Sequence, residues 1–185
     1  MIGEGFDAVL ASAKAGEEAA LEIIYRDLAP AVLGYLRAQG AREPEDLASE
    51  VFVGVVRDLA AFQGDERAFR SWVFTITHRR LVDERRRLGR RREVPLDPRD
   101  LRALVRAPTG DVELEALDRL GARWVADALR RLTPDQRTVL LLRVVADLPL
   151  EDVSRIMGKR IGAVKTLQRR ALIRLAKAVS REGVS

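Results

Sequence analysis

The sequence predicts an all-α protein of two small helical domains joined by a flexible linker. Three observations lead there. Apolar residues recur three and four positions apart almost everywhere, the period of a helix with one buried face. No stretch alternates apolar and polar residues as a half-buried strand would, and aromatic residues are only 5 % of the chain, few for a β-sandwich or barrel. The helical period also lapses once. From Gly89 to about Val112 there are three prolines and the run Arg90-Arg91-Arg92, with no sustained period. The expected division is therefore a domain at 1–88, a linker at 89–112 and a domain at 113–185. A chain of 185 residues has room for two modest cores.

The elements follow in order. Leu21, Ile24, Tyr25, Leu28, Val32 and Leu36 mark one face of a first helix, with Pro30 as the point at which it can bend. Leu47, Val51, Val55 and Leu59 mark a second, opened by the acidic turn Glu43-Pro44-Glu45-Asp46. After a turn at Gln63-Gly64-Asp65, a third carries Phe69, Trp72, Val73, Ile76 and Val82. Beyond the linker, Leu114, Leu117, Leu120, Trp124, Val125 and Leu129 resume the period. Thr133-Pro134-Asp135-Gln136 then reads as a capping box with proline at the first helical position. Asp147-Leu148-Pro149 breaks the chain, and Leu150 to Met157 forms a short helix. Gly158 suits a left-handed end, and a longer helix starts at Ile161.

Composition removes whole classes of chemistry. There is no cysteine, hence no disulfide, thiolate metal site or cysteine nucleophile. One histidine, His78, makes a histidine metal cage or a Ser-His-Asp triad improbable. There is no glycine-rich nucleotide loop and no poised nucleophile. Neither an enzyme nor a bound metal or cofactor is expected. No apolar run suits a membrane span, and the N-terminus lacks the pattern of a secretory signal, so the expected location is the cytoplasm, away from membranes. Thirty-three Lys and Arg against 28 Asp and Glu leave a net charge of +5, which suits an anionic partner.

Two stretches carry the nucleic-acid chemistry. Leu150 to Leu175 has the layout of a helix-turn-helix: short helix, glycine, basic turn, basic helix. Ile161 and Val164 are expected to face inward, with Leu167, Ala171, Leu172 and Leu175 behind them. Gly162 and Ala163 keep the leading edge small enough to enter a major groove. Arg160, Lys165, Thr166, Arg169 and Arg170 offer donors to phosphates and base edges. In the third helix, Thr75, Arg79, Asp83 and Arg86 share a polar face, with Arg80 beside them. Phe62, Phe69, Trp72 and Phe74 precede the arginines. Rings beside a cationic track suit single-stranded nucleic acid, which stacks its bases and neutralises its phosphates. The same rings at helical spacing also suit a core. The second helix differs: Glu45, Asp46, Ser49 and Glu50 make an acidic side, and Phe52 and Val53 leave the apolar stripe. That mixture suits a protein partner.

Taken together these stretches resemble the bacterial RNA polymerase sigma factors of the extracytoplasmic-function group, compact relatives within the sigma-70 family. Glu45-Asp46-Leu47-Ala48-Ser49-Glu50-Val51-Phe52 resembles the family's region 2.2. Phe69-Arg70-Ser71-Trp72-Val73-Phe74 with Arg79-Arg80-Leu81-Val82-Asp83 resembles regions 2.3 and 2.4. Leu132 to Arg143 and Leu150 to Ala171 resemble region 4 with its helix-turn-helix. Two departures are Ser49, where the family often has Gln, and Leu167-Gln168, where it commonly has Arg-Leu.

The resemblance implies a division of labour. Glu45, Asp46, Ser49, Glu50 and Phe52 would grip the clamp helices of the polymerase β′ subunit, and the C-terminal domain would meet the β flap. Phe69, Trp72, Thr75, Arg79, Arg80, Asp83 and Arg86 would hold the separated strand of the −10 promoter element. Arg160, Gly162, Ala163, Lys165, Thr166, Arg169 and Arg170 would read the −35 element as duplex. An anti-sigma factor is a further partner the family often has. The competing reading is a conventional helix-turn-helix regulator, dimeric on duplex operator DNA.

Length fits the first reading. The two promoter elements lie up to roughly 70 Å apart along the axis. About 24 free residues span about 25–30 Å at rest and about 80 Å at full stretch. The linker must then be drawn out along a partner's surface. The free chain is expected to hold no fixed domain arrangement, or to be held closed by an inhibitor.

Overall fold

The computed structural model describes residues 2–89 and 125–182, with side chains through 177. Residues 90–112 of the expected linker, and the face expected from Leu114 to Trp124, lie outside the described residues. Everything regular among the described residues is helical. The N-terminal unit holds α1 (Phe6–Lys14), α2 (Glu18–Ala38), α3 (Pro44–Asp58) and α4 (Glu66–Arg87). The C-terminal unit holds a helical stretch at 125–130, then α5 (Pro134–Val144), α6 (Leu150–Met157) and α7 (Ile161–Glu182).

Local chemistry sets the starts and stops. Pro44 sits at the start of α3, where its missing N–H costs nothing, and Glu45 and Asp46 follow in the first turn. Asp65 caps α4 by accepting a hydrogen bond from the Ala68 N–H at 2.7 Å. Gly64 just before it has φ +144°, and a Cβ there would lie 2.8 Å from the Ala68 Cβ. The expected capping box of α5 is present: the Gln136 N–H donates to Thr133 Oγ1 at 3.4 Å, and the Thr133 N–H donates to Gln136 Oε1 at 3.2 Å. α6 ends on Gly158 at φ +61°, the left-handed position that glycine takes without a Cβ penalty.

The first core is the expected set of stripes, with corrections at its margin. Val32, Tyr35 and Leu36 of α2, Val51 and Val55 of α3, and Val73, Phe74 and Leu81 of α4 are buried together. In α2, however, Tyr25 is exposed and Leu21 only half-buried, because the buried line of its first half runs through Ala20, Ile24 and Leu28, one position to the side. α1, which the periodicity did not reveal, lays Phe6, Leu10 and Ala13 over the same core. α4 buries more of its circumference than its stripe predicts, since Ser71, Thr77 and Leu81 are all inside. The buried Thr77 hydroxyl is satisfied along the helix, its Oγ1 donating to the Val73 carbonyl at 2.9 Å.

The C-terminal core is smaller. Leu142, Leu148, Val153, Val164 and Ala171 have no exposed surface. Between α5 and α6 the chain doubles back through Asp147 at φ +50°, and the Leu148 N–H donates to the Leu142 carbonyl at 3.0 Å. Two expectations for α7 are corrected. Ile161 and Leu172 are exposed, because the buried face is centred on Val164, Ala171 and the half-buried Leu167 and Leu175.

The two units pack against each other, where the sequence suggested no fixed arrangement without an inhibitor. α2 meets α5, and α4 meets α6. Gln39 Nε2 donates to Thr138 Oγ1 at 2.8 Å, and both residues are buried. The Arg70 guanidinium donates to the Ala146 carbonyl at 2.6 Å, and Arg67 lies 3.7 Å from the Asp152 carboxylate. These polar contacts accompany one cluster of buried apolar side chains that takes in residues of both units.

Candidate nucleic-acid interface

The C-terminal site is built on the Gly158 turn. Ser154 Oγ donates to the Lys159 carbonyl at 2.5 Å, and the Ala163 and Val164 N–H groups both bond back to the Arg160 carbonyl. The turn is therefore tied to α6 on one side and to the first turn of α7 on the other. That fixes the angle at which α7 leaves. Val164 is the pin: wholly buried, it holds α7 against the domain. Opposite it, Arg160, Gly162, Ala163, Lys165, Thr166, Arg169 and Arg170 are all exposed. Gly162, Lys165, Thr166 and Arg169 fall within one arc of the helix, and Ala163 and Arg170 border it. No Cβ obstruction surrounds Gly162, so the leading edge stays narrow. All seven expected residues are thus exposed on or beside one face of α7, and a helix face is what a major groove admits.

The N-terminal site is less uniform. Arg79, Asp83 and Arg86 are exposed along α4, and Asp83 pairs with Arg86 at 3.6 Å. Thr75 is half-buried and donates to the Ser71 carbonyl at 2.8 Å. Arg80 is half-buried and pairs with Glu50 of α3 at 3.4 Å. Phe69 is corrected. It is 2 % exposed, with the rings of Phe62, Trp72 and Phe6 at 5.0, 5.5 and 5.6 Å, so it supports the surface from beneath and stacks on no base. Trp72 keeps one partly exposed side while packing on Phe62 at 5.2 Å.

The acidic face of α3 shows Glu45, Asp46, Ser49 and Glu50 to solvent or nearly so. Arg37 of α2 donates to Glu45 at 2.5 Å, and that hydrogen bond holds the Glu45 carboxyl below the usual carboxylate range. Phe52 does not join this face. It is buried, with the Tyr25 ring at 4.7 Å. The reason is the helical period: position 52 lies about 120° around from Asp46, whereas Val53 lies two turns on from it. Val53 is 69 % exposed and takes the apolar place expected of Phe52.

Two family models match in the order these surfaces occur: sigma-70 region 2 over residues 24–91, and sigma-70 region 4 over residues 122–175. The sigma factor SigD of Mycobacterium tuberculosis, of the extracytoplasmic-function group, is 31 % identical over 183 residues, covering 95 % of this chain and 84 % of the relative. The chain belongs to the sigma-70 family, in its extracytoplasmic-function group. It is an RNA polymerase sigma factor. BldN of Streptomyces coelicolor, another sigma factor of the group, is 34 % identical over 89 % of this chain, which spans 62 % of that longer relative. The fold agrees with a solved structure of CnrH in complex with the cytosolic domain of CnrY: TM-score 0.66, 20 % identity, 96 % of this chain and 99 % of that one.

Sequence reasoning missed one polar cluster in this sigma factor. It sits behind the α4 surface, where α2, α4 and α5 meet. Tyr35 Oη lies 2.8 Å from His78 Nδ1 and 3.4 Å from Gln39 Nε2, and Arg85 donates to the Gln39 backbone carbonyl at 2.5 Å and to its Oε1 at 3.2 Å. No spacing advertises such a cluster, since its members come from three helices. Among the described residues no helix is long and apolar enough to cross a membrane.

Proposed function

We propose that this sigma factor divides its work among the three surfaces just described. Glu45, Asp46, Ser49 and Glu50, with Val53 beside them, engage the β′ clamp helices of core polymerase. Arg79, Arg80, Asp83, Arg86, Thr75 and the open side of Trp72 engage the −10 element as its strands separate. Arg160, Gly162, Ala163, Lys165, Thr166, Arg169 and Arg170 dock α7 in the major groove of the −35 element, with the C-terminal unit on the β flap. Residues 1–88 and 113–185 act as two domains, and 89–112 bridges them. The factor works by binding, without catalysis of its own, in the cytoplasm where polymerase works. An anti-sigma protein is a further partner.

The observation that carries the −35 assignment is the α7 surface. Seven residues singled out for duplex DNA are all exposed on one side of a helix whose opposite side is pinned by Val164. Family membership favours this reading over a dimeric regulator. Run-off transcription with purified core polymerase and genomic promoter fragments tests it, paired with gel shifts with and without core enzyme. RNA chains that start only when the factor is added, with specific shifts only beside core enzyme, are expected. Specific binding to duplex DNA by the isolated chain would overturn the reading.

A further inference from the structure

α1 is strapped at both ends to the turn that leads into α4. Just ahead of its start, the Glu66 carboxylate accepts from the Ile2 N–H at 2.5 Å and from the Gly3 N–H at 3.1 Å. Phe6, its first residue, packs its ring on Phe69 at 5.6 Å. At its far end, Lys14 Nζ donates to the Phe62 carbonyl at 2.6 Å. That bond holds the backbone of Phe62, whose side chain is buried while Gln63, Gly64 and Asp65 after it are exposed. α1 lies ahead of the residues matched to sigma-70 region 2.

The Phe62 ring fixes Trp72 in turn. The two rings lie 5.2 Å apart at 32°, closer to parallel than the 78° edge contact of Phe62 with Phe69. One side of the indole is thereby occupied, and its exposed remainder is the side assigned above to the −10 element. Gly64 makes room for this arrangement. A Cβ on it would meet the Ala68 Cβ at 2.8 Å and Phe62 Cζ at 3.2 Å, and its φ is +144°. Only a bare Cα lets the turn close beside the Phe62 ring.

We propose that Lys14 and Gly64 are positioning residues for the Trp72 stacking surface: they seat Phe62 behind the indole, and the seated indole receives a base of the separated −10 strand. A ring already fixed in tilt stacks a base without losing further freedom on binding. Released from either constraint, Phe62 can leave the indole, and Trp72 then has several tilts to give up. The effect on strand separation rests on the −10 reading of α4; the seating of Trp72 does not.

The chain has two tryptophans, Trp72 and Trp124, so Trp124→Phe leaves Trp72 as the one indole reporter. In that full-length background Lys14→Met should raise the acrylamide quenching of Trp72 while the circular dichroism spectrum stays parental. Lys14→Arg, which keeps a donor, should restore the parental quenching. Gly64→Ala should move the quenching in the same direction and further.

Holoenzyme on a promoter fragment recovered by the run-off assay, with 2-aminopurine in its −10 element, reports strand separation by fluorescence. Lys14→Met should slow separation about fivefold, the scale of one hydrogen bond, with core affinity unchanged. Trp72→Leu should slow it more, and adding Lys14→Met to Trp72→Leu should slow it no further, because both act through one ring. A direct phosphate contact by Lys14 is the rival account. It would make the slope of log promoter affinity against log salt shallower by about 0.7 in Lys14→Met, whereas positioning leaves the slope alone. Unchanged Trp72 quenching, effects of Lys14→Met and Trp72→Leu that multiply, or a shallower slope would each overturn the inference. Parental strand separation in Trp72→Leu would instead sink the −10 reading of Trp72, and this inference with it.

Discussion

Arg80 of α4 and Glu50 of α3 pair at 3.4 Å, joining the helix assigned to the −10 element to the helix assigned to polymerase. Both side chains keep substantial exposure, 34 % and 50 %, so the pair adds little to stability, within about 1 kcal/mol. Its consequence is positional. A partner that takes Glu50 leaves the Arg80 guanidinium available to a phosphate. Glu50→Gln should therefore shift the urea midpoint only slightly, while core binding weakens several-fold. Fluorescence-detected unfolding and titration of labelled factor into core enzyme separate the two effects. A large stability loss with unchanged core affinity contradicts the assignment.

Asp46 stands on the same face with no role in the core. Asp46→Arg should abolish association with core polymerase while far-UV circular dichroism and the thermal midpoint stay those of the parent. Co-purification of the variant with core enzyme at parental yield would remove α3 from the polymerase interface.

Lys165 is exposed on the DNA side of α7. If it meets phosphate, Lys165→Ala should weaken holoenzyme binding by a similar factor on every promoter tested. The slope of log affinity against log salt should become shallower by about 1. Weakening confined to one −35 sequence would instead make Lys165 a base reader.

Gly158 holds a left-handed conformation with open space around it. Gly158→Ala should cost about 1 kcal/mol from backbone conformation alone, with no steric clash to relieve. Urea unfolding of the variant measures this. Because the turn sets the exit angle of α7, the loss in promoter binding should exceed the loss in folding stability.

Thr133 caps α5 through both arms of its box. Thr133→Ala should cost about 1 kcal/mol by the same unfolding assay. Thr133→Ser, which keeps the hydroxyl, should restore most of it.

What the sequence determined by itself was whatever depends on neighbours along the chain. Helical stripes, the Thr133 box, the Gly158 stop and the basic side of α7 all rest on spacing within a turn or two of helix, and local sterics and hydrogen bonding enforce them. The tertiary structure alone decided what depends on which helix comes to lie against another. It sank Phe69 beneath Trp72 and turned Phe52 onto Tyr25, leaving Val53 exposed in its place. It also brought Gln39 to Thr138, 99 residues away. An aromatic or polar residue at a helical position is equally at home facing a partner or a core. Only the packing of the other helices chooses, because burial is a property of the whole assembly of elements and not of any one of them.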